Sequence, residues 1–278
     1  MSEPIMLAEI DRLVDIIRAR TSHQPEIGMI LGSGLGSLAD LVENRDIIPY
    51  QELPSWPVST IQGHQGRLVC GLLEEKPVVI MQGRSHFYEG YSMVQIGLPV
   101  RVMKRLGIDK LIVTNAAGSV NPGFEPGELM LITDHLNLIG MAGFSPLRGP
   151  NLDEFGPRFP DMSRAYDRQL IDLARRVARE NQISLLEGIY ICLAGPSFET
   201  PADLRFLRNA GADAVGMSTV PEVTVARHSD IKVLGISGIS NKANLDGNTT
   251  TTHEEVLEAG KTIVPKLTTL IRGVLRHL

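Results

Sequence analysis

Six unbroken apolar runs, each emptying into a short tip of Gly, Ser, Asn, Arg or Glu, constrain this chain more than any other feature. Residues 28–31 lead into Gly32-Ser33-Gly34-Leu35-Gly36, residues 78–81 into Gly83-Arg84-Ser85-His86, and residues 111–113 into Thr114-Asn115-Ala116-Ala117-Gly118. Residues 189–193 lead into Gly195-Pro196-Ser197-Phe198-Glu199, Ala214-Val215 into Gly216-Met217-Ser218, and residues 233–236 into the tip at 237–241. A continuous apolar run, unlike an alternating one, reads as a strand covered on both faces. In open α/β sheets, ligands sit just beyond the carboxyl ends of such strands. The pattern predicts one small-molecule site assembled from six places in the sequence.

Helical patterns lie between the runs. Ile10, Leu13, Val14 and Ile17 have the spacing of one helix face, residues 94–106 read as a second helix, and Tyr166, Leu170, Leu173, Ala174 and Val177 form a third stripe. Thr252 with Glu255 has the form of a capping box opening the last helix, with Pro265 expected to kink it. Alternation persists throughout with no linker or repeat, so the expectation is a single α/β domain over residues 1–278. One long irregular stretch, residues 139–162, is rich in Pro and Gly; it reads as a lid or as a segment reaching a neighbouring subunit.

Several function classes are excluded by composition and spacing. A net charge of −5 and only 5% aromatic residues give no footprint for nucleic acid. No apolar run approaches a membrane span, and Glu3, Glu9, Asp11 and Asp15 break up the opening segment, so a cytoplasmic protein is expected. Cys70 and Cys192 fall inside predicted strands and read as buried, reduced thiols; no metal-ligand spacing is present. In the glycine loop at 32–36, the third position of the dinucleotide fingerprint falls on Ser37. Gly260-Lys261-Thr262 lacks the first glycine of a phosphate loop, where Glu255 stands, and no serine lies in a Gly-x-Ser-x-Gly elbow.

Several tips suit an anion. Gly32-Ser33-Gly34 offers backbone N–H groups and a hydroxyl, Arg84 a planar fork with His86 two residues on, and Ala116 and Ser218 a further N–H and hydroxyl. Two others suit a polar heterocycle: Glu199 beside Phe198, and Asn241, which can both donate and accept. Taken singly, Arg84 also reads as a surface charge, Glu199 as a carboxylate favouring a helix start, and Asn241 as a turn residue.

Together, several motifs resemble the trimeric purine nucleoside phosphorylases, inosine/guanosine type, from about Gln24 to the carboxyl end. They are GSGLG at 32–36, Gly63-His64, Gly-Arg-x-His-x-Tyr-Glu-Gly at 83–90, Asn115-Ala116-Ala117-Gly118, Gly195 to Thr200, and the run from Val215 to Glu222. The resemblance implies a central mixed, largely parallel twisted sheet flanked by helices. It also implies phosphorolysis of 6-oxopurine ribo- and deoxyribonucleosides to free base and (deoxy)ribose 1-phosphate. By that resemblance Ser33, His64, Arg84, His86, Ala116 and Ser218 hold phosphate, and Tyr88, Met217 and His253 the sugar. Ala117, Gly118, Phe198, Glu199 and Asn241 hold the purine, while His86, Glu199, Asn241 and His253 act in catalysis. Phe159 would be lent to the adjacent subunit of a homotrimer. Inorganic phosphate is the co-substrate, with no cofactor, metal, nucleic acid or membrane. Ser85 and Ser119 depart from the family pattern, the second where a glycine is common.

The implied chemistry is dissociative. As the glycosidic bond lengthens, Asn241 stabilises the departing base at N7 and O6, Glu199 takes N1–H, and phosphate faces the cationic sugar. A 6-aminopurine would turn a bare acceptor toward Glu199, which favours inosine and guanosine. The rival readings are a methylthioadenosine or xanthosine phosphorylase, a nucleoside hydrolase that needs no phosphate, and a nucleoside-binding sensor without turnover.

Overall fold

The computed structural model describes residues 7–248 and 252–278, leaving Glu3 and the side chain of His253 outside the description. Its framework is a nine-stranded sheet in the order β2-β3-β4-β1-β5-β8-β7-β6-β9. The strands are β1 (Ile27–Leu31), β2 (Glu43–Pro49), β3 (Arg67–Leu73), β4 (Lys76–Gln82), β5 (Lys110–Ser119), β6 (Leu129–Leu136), β7 (Leu185–Cys192), β8 (Ala214–Gly216) and β9 (Lys232–Lys242). Parallel pairing joins β1 to β4 and β5, β5 to β9, and β7 to β6 and β8; the remaining pairs are antiparallel, so the sheet is mixed. All five residues of β1 are buried, as an unbroken apolar run requires of a strand covered on both faces.

Strand β5 organises the whole. Along one edge, residues 110–113 pair with β1 and Gly118-Ser119 pair with β8; along the other edge β9 follows it end to end. Because β9 also pairs with β6, strands β5, β8, β7, β6 and β9 close into a ring, a feature that local sequence patterns do not carry. The ring corrects two of the expected tips. Residues 115–118 and 237–241 are not loops after strands but the ends of the long strands β5 and β9, held extended by pairing with each other. The register shifts there: Ala117 faces Ile239 but Gly118 faces Asn241, leaving Ser240 as the extra residue of a bulge.

Helices cover the sheet: α1 (Leu7–Arg18), α2 (Met93–Leu106), α3 (Leu138–Met141), α4 (Arg168–Glu180), α5 (Pro201–Asn209), α6 (Val220–His228) and α7 (His253–Arg276). The α1 stripe of Ile10, Leu13, Val14 and Ile17 is buried, as its spacing predicts. Ser92 and Gln95 form a capping box for α2, and Gly107 at φ 117° ends it. The predicted Thr252–Glu255 capping box opens α7, which runs through Pro265 as one helix. Tyr166 lies just before α4, whose N-cap is Asp167. The stretch 142–162 has no helix or strand. Cys70 and Cys192 are buried and unbonded, and burial pushes the Cys70 thiol up to about 12. No helix among the described residues is long and apolar enough to cross a membrane.

Candidate active site

Beyond Thr114, β5 loses β1 as its neighbour and has not yet gained β8, so an open edge is left at Asn115 and Ala116. Gly32 lets β1 turn away here: a Cβ at that position would lie 2.8 Å from the Asn115 Cα. Arg84, arriving from the end of β4, fills the wedge. Its Nη2 donates to the carbonyls of Ile30 and Thr114, and its Nη1 to Ser218 Oγ at 3.1 Å and Thr219 Oγ1 at 2.9 Å. Arg84 is 1% exposed, and Glu222 Oε1, from α6, stands 3.4 Å from its guanidinium to balance the charge. Among the described residues Arg84 Nε, Asn115 Oδ1 and Glu222 Oε2 are buried without a hydrogen-bond partner.

The opening widens into a cavity of about 460 Å³. Ser33, Arg84, His86, Tyr88, Ala116, Gly118, Phe198, Glu199, Met217, Ser218 and Asn241 all line it, so Arg84 and Asn241 share one space. Two of the described side chains assigned to this subunit's own site do not line it. Ala117 alternates to the other face of β5, where it is core, and only its carbonyl takes part, accepting from Ser240 Oγ. His64 stands behind Ser33. Its Nδ1 accepts from the Arg84 backbone N–H at 3.1 Å, so the ring proton belongs on Nε2, which donates to Ser33 Oγ at 2.9 Å. Ser33 and Ser218 therefore both accept a hydrogen bond from behind, and both hydroxyls border the cavity.

Ser218 is held by an unusual turn. Thr219 has φ 75° and ψ −52°, and Val220 N donates to Ser218 O at 2.8 Å, which makes a γ-turn of the rare positive-φ kind. For a β-branched residue that conformation is strained. Thr219 Oγ1, fully buried, accepts from both Arg84 and Asn115 Nδ2, the latter at 2.9 Å, and these bonds hold the strained turn in place.

His86 is oriented by Glu89, whose Oε1 takes both His86 Nδ1–H at 2.9 Å and the His86 backbone N–H at 2.8 Å. Glu89 also accepts from the Thr60 backbone and from the Ser59 and Thr60 hydroxyls, tying the 59–62 loop to the site. Burial alone would raise the Glu89 pKa, but the bonds from His86 and Thr60 outweigh it and hold the carboxylate at about 2. The His86 ring stacks on Tyr88, with centroids 4.8 Å apart.

At the far end Asn241 lies over Gly118, its Oδ1 accepting from Ser240 Oγ at 2.8 Å. That bond orients the amide and leaves its NH₂ as the group offered to the cavity, donating among the described residues to the carbonyl of Lys242 at 3.3 Å. Glu199 precedes α5, and burial, reinforced by Asp203, raises its pKa. Phe198 is half-exposed and Phe159 is 86% exposed, outside this cavity. His253 falls outside the described side chains. Ser85 and Ser119 do not line the cavity, and Ser119 Oγ donates to the Asn121 carbonyl at 2.6 Å.

Sequence reasoning missed Thr60, Ile61 and Gln62, which close the anion end, Ala243 and Asn244, which follow Asn241 at the other, and Val256 of α7. Thr60 and Ile61 lie within four residues of the Gly63-His64 motif, which was the only signal for them. Thr219 and Glu222 sit inside the run from Val215 to Glu222 but carry no local mark of their roles.

Residues 26–276 match the model of the phosphorylase superfamily. The chain is 51% identical to purine nucleoside phosphorylase 1 of Bacillus subtilis (strain 168), over 97% of this chain and 98% of the relative. It is 50% identical to purine nucleoside phosphorylase of Rattus norvegicus, over 96% and 94% respectively. The structure of Schistosoma mansoni purine nucleoside phosphorylase in complex with inosine superposes with a TM-score of 0.95 at 41% identity, covering 100% of this chain and 99% of that one. The complex of that protein with adenosine gives 0.95 at 42% identity, covering 99% of each. With that likeness spanning nearly the full length, the chain belongs to the phosphorylase superfamily and, within it, to the purine nucleoside phosphorylases.

Proposed function

We propose that this enzyme takes 6-oxopurine nucleosides, inosine and guanosine in ribo- or deoxyribo-form, and transfers the pentosyl group to inorganic phosphate. The observation that carries the reading is one cavity with hydroxyl donors over a buried guanidinium at one end and an amide with a carboxylate at the other. Phosphate would lie on Ser33, Ser218, the Ala116 backbone and His86, within the field of Arg84. The sugar would rest on Tyr88 and Met217, and the purine between Phe198, Gly118, Glu199 and Asn241.

Charge development sets the mechanism. As the C1′–N9 bond breaks, both of its electrons go to the purine, and the Asn241 NH₂ donates to the anionic ring as Glu199 holds N1–H. The pentosyl cation is stabilised by phosphate on its opposite face, whose oxygen then bonds to C1′ with inversion. No enzyme nucleophile and no cofactor is needed. His253, at the start of α7, is assigned to the 5′-hydroxyl by the family resemblance alone, and Phe159 to the site of a neighbouring subunit in a homotrimer.

Because a relative has been crystallised with adenosine as well as inosine, the deciding assay compares the two bases directly. Inosine, guanosine, xanthosine and adenosine are incubated with and without phosphate, and base release is followed. Release of hypoxanthine and guanine that depends on phosphate, with adenosine far slower, is expected. Turnover without phosphate, or adenosine consumed as fast as inosine, would reject the proposal.

A further inference from the structure

A second cavity, of about 330 Å³, lies between α1, α2 and the irregular stretch, with Leu7, Val94, Leu147 and Leu152 among its walls and two arginines, Arg101 and Arg148, on its lining. Arg101, on α2, is 5% exposed. Its side chain lies 5.1 Å from the centre of the Phe155 ring, and its one side-chain hydrogen bond among the described residues, at 3.5 Å, is to His228 Nδ1. The second ring nitrogen of His228 meets Asn151 Oδ1 at 3.1 Å, and burial together with the Arg101 charge lowers the His228 pKa, so this neighbour is a neutral imidazole. No carboxylate of the described residues pairs with Arg101. One turn further along α2, Arg105 lies over the same Phe155 ring but is neutralised twice, by Asp11 at 3.2 Å and by Glu154. The acids within reach are thus spent on Arg105, and burial without an anion lowers the Arg101 pKa to about 10. A buried guanidinium without a countercharge is destabilising. An anion arriving from solution would offset that cost.

We propose that this cavity is a second binding site, distinct from the phosphorolysis site, for an organic monoanion whose carboxylate meets Arg101 and whose apolar body lies against Val94, Leu147 and Leu152. One buried positive charge matches a carboxylate. A phosphate dianion would leave a charge uncompensated among apolar walls, since Arg148 is exposed at the rim. The cavity volume falls at the small end of the range for ligand pockets.

The test is calorimetric titration of the full chain with octanoate and, as the neutral counterpart, octan-1-ol. Octanoate should bind about tenfold or more tightly than the alcohol, as one charged hydrogen-bonded contact implies. Arg101→Gln should abolish that preference while phosphorolysis of inosine is retained. Should Arg101→Gln fail to fold, Val94→Trp, which fills the cavity from its wall, should remove octanoate binding with Arg101 intact. Equal affinity for acid and alcohol, or octanoate binding unchanged in both variants, would overturn the site. Binding seen only in a chain shortened to begin at Leu7 would also overturn it, by making this chain's own residues the occupant.

Discussion

Thr219 separates backbone strain from hydrogen bonding within one side chain. Thr219→Ala removes Oγ1 and with it two buried hydrogen bonds, one from Arg84 Nη1, which keeps Ser218 and Glu222 as partners, and one from the Asn115 amide. A hydrogen bond to a charged group contributes about 1.5–3 kcal/mol and a neutral one about 0.5–1.5, so the alanine variant should lose about 2–4 kcal/mol. Thr219→Gly loses the same bonds but also removes the Cβ that makes φ 75° unfavourable. Strain of that kind is about 1–3 kcal/mol, against about 0.5–1 kcal/mol for the extra freedom of glycine in the unfolded chain. Glycine should therefore be the more stable of the two by about 0.5–2 kcal/mol, the reverse of the usual order. Urea unfolding followed by fluorescence of Trp56 reads this as a higher midpoint at unchanged slope. Both variants should also show a raised KM for phosphate, because the turn aims Ser218. If Thr219→Gly unfolds at lower urea than Thr219→Ala, the turn is not strained and the reasoning fails.

Three other perturbations read the remaining parts of the site. Asn241→Asp should raise kcat/KM for adenosine relative to inosine, because a carboxyl group can accept from the 6-amino group where the amide donates; an unchanged ratio would refute the assigned role. In the proposed role Glu199 accepts N1–H more strongly as a carboxylate, and burial raises its pKa, so kcat/KM for inosine should fall on the acid side at a higher pH than an ordinary glutamate would give. Glu199→Gln should be slower throughout and lack that limb, and an identical acid limb would assign the titration to another group. Glu89 has a folded pKa of about 2, below its unfolded value, so its contribution to stability is complete above the ordinary carboxylate range and is lost as pH falls toward about 2. Thermal unfolding of Glu89→Gln between pH 6 and 3 should therefore change less with pH than that of the parent chain.

Much of this architecture was legible because local chemistry and tertiary context agreed. The run at 28–31 became a strand buried along its length, the α1 stripe turned inward, and Thr252 capped α7 with Glu255 as its spacing predicts. The convergence of Ser33, Arg84, Glu199 and Asn241 on one cavity followed from strand-end placement. Legibility failed where pairing partners are far apart in sequence. Residues 115–118 and 237–241 carry Gly, Asn and Ser, whose turn chemistry argues for loops, yet they hold each other extended across more than a hundred residues of chain. Ring closure through β9 is equally non-local. Thr219 was invisible for the opposite reason: a β-branched residue is among the last expected at positive φ, and only buried partners from two other elements hold it there. His64 was found by motif, but its place behind Ser33 depends on a hydrogen bond to a backbone twenty residues away.

The unmatched Ser240 in β9 has an outcome for how this scaffold can change. Adjacent residues of a regular strand point to opposite sides, so Ser240 and Asn241 could not both border the same space without that extra residue. The irregularity sits between two paired stretches of β9, residues 232–239 and 241–242, so the side chain at 241 is presented from a strand held against β5 on both sides of the bulge. On the roles proposed for Asn241 and Arg84, base preference and anion capture become separately adjustable, and a lineage could retune the first while inheriting the second intact.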